Sequence, residues 1–278
     1  MNWNCARCGY APKRVGQFPV FARELVGVED GWRADFAARL AEAEPRHFWF
    51  RARNRLVVWA LGHYFPRAAN FLEIGCGGGY VLSGVRGSRR DMRLTGSDLF
   101  PEALVVASRR VPGADFLQMD ARRIPFEGEF DVIGAFDVLE HIEEDDAVLE
   151  GIHRALRPGG GVILTVPLHP WLWSVTDEYA CHKRRYTLDE LRSKLQRAGF
   201  DLLRQTAFVS LLLPLLLLSR RRLPRRAEDF DPSTELHLHP VVQAALESVM
   251  TVERGLIQLG RSFPFGSSLL AVGGRVDS

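Results

Sequence analysis

Phe71-Leu72-Glu73-Ile74-Gly75-Cys76-Gly77-Gly78-Gly79 sets a short apolar run against a carboxylate and an alternating series of glycines. The apolar run reads as a strand and the glycines as the turn that follows it. At Gly75, Gly77 and Gly79 a Cβ would block either the turn or the close approach of backbone to a bound molecule. The stretch therefore reads as a nucleotide-type cofactor site on a strand-turn-helix unit, with Tyr80 to Val85 opening the helix.

The glycine spacing separates two classes of such sites. Dinucleotide sites use G-x-G-x-x-G, and here Tyr80 stands where the third glycine would fall. The observed pattern is E-x-G-x-G-x-G, with the acid inside the motif. Glu73 favours a ligand whose cationic end lies over the turn and would repel a pyrophosphate. On these residues the stretch resembles motif I of the class I S-adenosylmethionine-dependent methyltransferases. A nicotinamide-dependent oxidoreductase on a similar sheet is the alternative that the missing glycine and Glu73 argue against. A non-catalytic, membrane-associated factor that keeps the cofactor fold is another.

Signals downstream follow in a fixed order. A strand from Met92 to Gly96 leads to Asp98 and Leu99, where an acid can accept both hydroxyls of a ribose. Pro101 and Glu102 suit a helix start. A strand from Asp115 to Met119 ends at Asp120-Ala121, and Phe130 to Phe136 reads as a strand buried on both faces. A helix over Ala147 to Leu156 stops at Arg157-Pro158-Gly159-Gly160-Gly161, before a strand from Val162 to Val166. Thr187 and Glu190 form a capping box, and Leu202 to Phe208 and Leu269 to Val276 are the last strands expected.

This alternation predicts an α/β fold with a doubly wound, mostly parallel sheet. The family resemblance implies seven strands in a Rossmann-like arrangement, with N-terminal and C-terminal helical extensions. It divides the chain into an N-terminal extension (1–68), a cofactor-binding core (69–208) and a C-terminal segment (209–278) whose last strand completes the sheet. The resemblance also implies that Glu73, Gly75, Cys76, Gly77 and Gly79 hold the methionine portion of S-adenosylmethionine. Asp98 and Leu99 would take the ribose, Asp120 and Ala121 the adenine, and Phe136 the floor. A helix running from about His47 to Leu61 would cover the cofactor, with Arg55 on its carboxylate and Arg51 and Arg53 as alternatives.

Methyl transfer asks little of a protein beyond alignment, and a base helps only when the acceptor keeps its proton. Asp137, Glu140 and His141, spaced to share one side of a turn, are candidates for a divalent metal, or His141 for a base. The segment is similar to one in the ubiquinone-pathway O-methyltransferases whose E-x-x-E-H set binds metal, with aspartate in place of the first glutamate. The loop from His169 to Tyr186 is rich in aromatic and ionisable residues, and His182 and Tyr186 are its candidates for contact with an acceptor.

With 36 basic and 34 acidic residues, net charge +2, the overall field recruits no class of partner. The local exception is 207–226, where an apolar run containing Pro214 precedes Arg220-Arg221-Arg222 and Arg225-Arg226. It falls short of the about twenty apolar residues of a bilayer span. Apolar length beside a polybasic cluster suits a membrane interface with anionic lipid, and the want of interleaved aromatics argues against nucleic acid. The expected substrate is a small or lipid-like methyl acceptor. Four cysteines, one inside the glycine turn, and the absence of a secretory pattern at Met1 predict a reduced cytoplasmic setting, peripheral to the inner face of the membrane. Cys5-Ala6-Arg7-Cys8 offers one half of a zinc ribbon without a second pair.

Overall fold

The computed structural model describes residues 3, 8–26, 40–220, 231 and 238–276. A hairpin of β1 (Lys13–Val15) and β2 (Phe18–Val20) precedes a long helix α1 (Phe48–Tyr64). The strand-helix alternation then runs β3 (Asn70–Ile74), α2 (Tyr80–Ser88), β4 (Arg93–Asp98), α3 (Pro101–Arg110), β5 (Asp115–Gln118) and β6 (Phe130–Phe136). It continues through α4 (Asp145–Ala155), β7 (Leu156–Pro167), α5 (Val175–Tyr179), α6 (Leu188–Arg197) and β8 (Phe200–Phe208). Helices α7 (Leu213–Arg220) and α8 (Pro240–Gln258) and strand β9 (Ser268–Arg275) complete the described chain.

All the strands form one sheet in the order β1-β2-β5-β4-β3-β6-β7-β9-β8. The seven strands from β5 to β8 are the expected doubly wound sheet, with β9 antiparallel between β7 and β8. The sheet has nine strands rather than seven because the N-terminal segment contributes a hairpin ahead of the expected helix. Gln118 makes that junction. Its carbonyl accepts from Phe21, and its buried side chain accepts from Ala22 N and donates to Ala22 O. Fully paired buried amides of this kind are what let a short strand extend a sheet edge.

Two cores lie on the two faces of the sheet. One packs α1, α2, α3 and the inner side of α8. The other packs α4 and α6 with Tyr186 among them. The predicted capping box is present, Thr187 Oγ1 accepting from Glu190 N at 3.1 Å.

The apolar run in 207–226 does not form one element. Ala207 and Phe208 are buried at the end of β8, whereas α7 buries none of its residues. Three backbone amides, Val209, Ser210 and Leu211, donate to the buried Glu253 carboxylate of α8, each at 2.7 Å. This anchor turns the chain out of the sheet, and Val209 adopts φ +59°, a conformation costly for a β-branched residue.

Candidate active site

The order of strands reverses between β3 and β6, and the crevice at their carboxyl ends is where ligands bind in open α/β sheets. Gly75, Gly77 and Gly79 all have positive φ there. A Cβ on Gly75 would lie 2.5 Å from Val138 of the β6 exit, so glycine is required for the two strand ends to approach. Asp98 at the tip of β4 accepts from Gly77 N at 2.8 Å and Phe100 N at 3.0 Å, which ties the second strand to the glycine turn. Each carboxylate oxygen keeps a further lone pair for a ligand.

Glu73 is buried, and its Oε2 has no hydrogen-bond partner. Burial raises its pKa well above the usual carboxylate value, with Arg53 opposing. Cys76 is buried within the turn and its thiol is pushed up by desolvation, then by Asp98 and Glu73. Leu99 and Ala121 are half-buried beside the crevice, and Phe136 is buried at the end of β6. Asp120 caps a single 3₁₀ turn through Arg122 N and is also paired with the Arg122 guanidinium.

Arg55 does not face this crevice. It is 45% exposed and pairs with Glu247 of α8. Arg53 turns inward instead, over the Trp49 ring at 4.7 Å, and pairs with Asp137. The signal was in the helix period: Arg53 shares a face with the buried Leu56, Val57 and Ala60, and Arg55 does not.

Asp137 departs from the expected metal set for the same reason. At φ +57° its carboxylate is taken by Arg53 and by Thr165 Oγ1, at 3.2 Å. Among the described residues the cluster able to hold a metal is Glu140, His141 and His182, whose ligand atoms all lie within 4.8 Å. Glu140 is fully buried with both oxygens unpartnered, and burial and then Asp137 raise its pKa well above normal. Burial and then His182 lower His141 to about 4, so its imidazole is neutral.

His182 reaches the cluster from the long loop. Asp177 holds its Nδ1 at 2.9 Å, and Nε2 lies 4.0 Å from Glu140. Burial opposes ionisation of Asp177, but His182 and Arg185 outweigh it and bring its pKa to about 2. An ionised Asp177 can only accept, so Nδ1 donates to it and Nε2 faces inward toward Glu140. Asp177 was not among the expected site residues, since Ser174 and Asp177 read locally as a helix capping box and nothing in that pattern points to His182.

Tyr186 is corrected from a site residue to a core residue. It is fully buried, and its hydroxyl donates to Asp145 at 2.7 Å, with its pKa raised by burial and then by that contact. Cys5 of the expected zinc half-site lies outside the described residues, and Cys8 is an exposed free thiol.

Residues 41–205, more than half of the chain, match the family model described as a methyltransferase domain, and the chain belongs to that family. Within it, the motifs and the sheet are those of the class I S-adenosylmethionine-dependent methyltransferases, and S-adenosylmethionine is the cofactor. The chain is 33% identical over 100 residues to a ubiquinone biosynthesis O-methyltransferase of Pseudomonas aeruginosa, covering 34% of this chain and 42% of that one. It is 31% identical over 146 residues to an uncharacterized methyltransferase of Synechocystis, covering 48% and 68%. A phosphoethanolamine N-methyltransferase of Haemonchus contortus, solved with phosphomonomethylethanolamine and S-adenosylhomocysteine, superposes with TM-score 0.57. That match has 20% identity and covers 90% of this chain and 59% of the other. The chain thus spans less than half the length of the Pseudomonas relative. Family membership displaces the nicotinamide alternative.

Proposed function

We propose that this protein transfers a methyl group from S-adenosylmethionine to a lipid-like acceptor received at the cytoplasmic face of a membrane. The observation that carries the acceptor class is an exposed apolar rim on the segments after β7 and β8 and before β9, at the same end of the sheet as the crevice. Trp171 (57% exposed), Phe265 (60%) and Leu218 (53%) lie on it, with Trp173, Leu215 and Leu217. Arg220 donates to the Leu172 carbonyl, which joins α7 to the tryptophan turn, and His169 stacks on Trp171 beside Phe265. Exposed tryptophan and leucine followed by a basic run is the composition of an interfacial surface. No helix among the described residues is long and apolar enough to cross a membrane, so the contact would be peripheral.

Bound in the crevice, S-adenosylmethionine supplies an electrophilic methyl group on a sulfonium. The glycine turn would hold its methionine portion, with Glu73 beneath the cationic end and Arg53 available to the carboxylate. Asp98 and Leu99 would take the ribose, Asp120 and Ala121 the adenine, and Phe136 the floor. On the acceptor side, His182 would remove a proton at Nε2 while Asp177 keeps its ring oriented. His141, held neutral, would line the acceptor pocket beside it.

The unpartnered oxygens of Glu140 favour a second reading, in which His182 Nε2 is a ligand rather than a base and a divalent cation sits on Glu140, His141 and His182. One carboxylate and two imidazoles, one backed by a second carboxylate, fit such an ion. It would polarise an acceptor oxygen.

Transfer of labelled methyl groups into a membrane extract tests the reading. Label in the organic phase is expected. Label confined to polar products would overturn the lipid acceptor, and binding of S-adenosylhomocysteine with no transfer would favour the non-catalytic factor.

A further inference from the structure

On the side of α1 opposite Arg53, α1, α2 from Tyr80 onward and the outer side of α8 border an open cleft of about 640 Å³. Helix α1 separates the two sites: Arg53 faces the crevice, whereas Arg51, Arg55, Val58, Trp59 and His63 line the cleft. Two of its arginines share one carboxylate. Arg51 reaches Glu247 at 2.9 Å, and Arg55 pairs with the other oxygen of the same residue.

Arg254, two turns along α8 from Glu247, lines the same cleft and has no hydrogen bond or ion pair with any described residue. Burial, and then Arg55, destabilise its charged form, with Glu247 opposing. Among the described residues, three guanidinium groups face one carboxylate, which leaves two positive charges uncompensated in one concavity. Asn54 lies between α1 and α2, buried, with its amide donating to the Tyr80 carbonyl at 2.8 Å and its Oδ1 unpartnered. Gly84 makes room for it, since a Cβ there would come within 2.2 Å of that oxygen. Trp59 stacks on His63 with ring centroids 5.3 Å apart, which gives one wall a flat apolar surface.

The geometry points to a second binding site, distinct from the cofactor crevice, for a phosphate monoester carrying a planar or apolar group. A single carboxylate would balance one of the two surplus charges. A phosphate, with about −1.5 to −2 charges at neutral pH, balances both and matches the fork of donors that arginine presents. The volume is in the range of small-molecule sites. The organic part would lie against Trp59, and the phosphate between Arg254 and Arg55.

Calorimetric titration of the full chain with 1-naphthyl phosphate, and with uncharged 1-naphthol as the reference, tests the site. Naphthyl phosphate should bind and naphthol should not. Arg254→Gln should weaken binding about tenfold or more, since it removes the cleft arginine that has no hydrogen bond or ion pair with a described residue. Gln258→Glu, an exposed change on the cleft wall, should weaken it as well. S-adenosylhomocysteine affinity should stay the same in both, which separates this site from the cofactor reading and reports that the variants are folded. The phosphate could be free or on a lipid headgroup, so phosphatidate vesicles form the second arm. Arginine-dependent binding of either probe supports the site and assigns its source. No binding of either, or affinity unchanged in both variants, overturns it.

Discussion

At the scale of residues, the partners available to a buried polar group distinguish a structural role from one open to chemistry. Tyr186 and Glu140 are both fully buried, yet their surroundings differ. Asp145 accepts from Tyr186 and from Lys194 Nζ at 2.8 Å and pairs with Arg184, which closes a network between α4, α6 and the loop. Replacing Tyr186 by Phe should therefore destabilise the fold by about 1–2 kcal/mol, with Asp145 still held by two cations. Denaturant unfolding measures this, and S-adenosylhomocysteine affinity should not change. A variant with wild-type stability and lost turnover would restore Tyr186 to the site. Neither carboxylate oxygen of Glu140 has a hydrogen-bond partner among the described residues, and the proposed cation rests on that observation. Arg53 belongs with Glu140: Arg53→Met keeps most of the apolar stem but removes the charge facing Glu73 and Asp137. It should weaken S-adenosylhomocysteine about tenfold, by calorimetry, whereas Arg55→Met should not.

At the scale of elements, the crevice depends on how α1 hands the chain to β3. Asp131 at the start of β6 accepts from Ala69 N and Asn70 N, each at 2.8 Å, and pairs with Arg157 at 3.0 Å. Burial alone would raise its pKa, but these donors outweigh it and hold the carboxyl below its ordinary value. A group depressed in this way binds fewer protons folded than unfolded. Its contribution is present above the unfolded pKa and is lost as the pH falls below about 4. Asp131→Asn should flatten that acid limb, seen as a smaller difference between urea midpoints at pH 3 and pH 6 than in the parent chain. An unchanged difference would mean that Asp131 does not carry the linkage.

At the scale of the whole molecule, the apolar rim and the polar crevice lie at the same end of the sheet. Strands β6, β7 and β8 run parallel to one another through the pairing with β9, so their exits at Asp137, Leu168 and Val209 open on one side. In the proposed reading a lipid-like acceptor held in an interface there would enter from the end of the sheet that carries the crevice. Leu217→Asp with Leu218→Asp, both on α7 where nothing is buried, should cut binding to phosphatidylglycerol vesicles at least tenfold. Co-sedimentation reads the loss, and cofactor affinity should be preserved. Full retention of vesicle binding would remove α7 from the interface.

What the sequence determined by itself is local in origin. Glycine spacing, strand-end acids and caps are set within a few residues, so the cofactor motif, the doubly wound sheet and the Thr187 capping box could all be read from it. Helix phase could also have been read, and would have preferred Arg53 to Arg55. The tertiary structure alone decided the rest. It brought His182 across forty residues to Glu140 and gave Asp177 to it as a partner. It turned Asp137 toward Arg53, buried Tyr186 against Asp145, and split the run before Arg220 into a buried strand end and an exposed helix. Those outcomes depend on which groups meet after packing, and for a charged or aromatic side chain the partner it meets determines whether it is buried, paired or left open to a ligand.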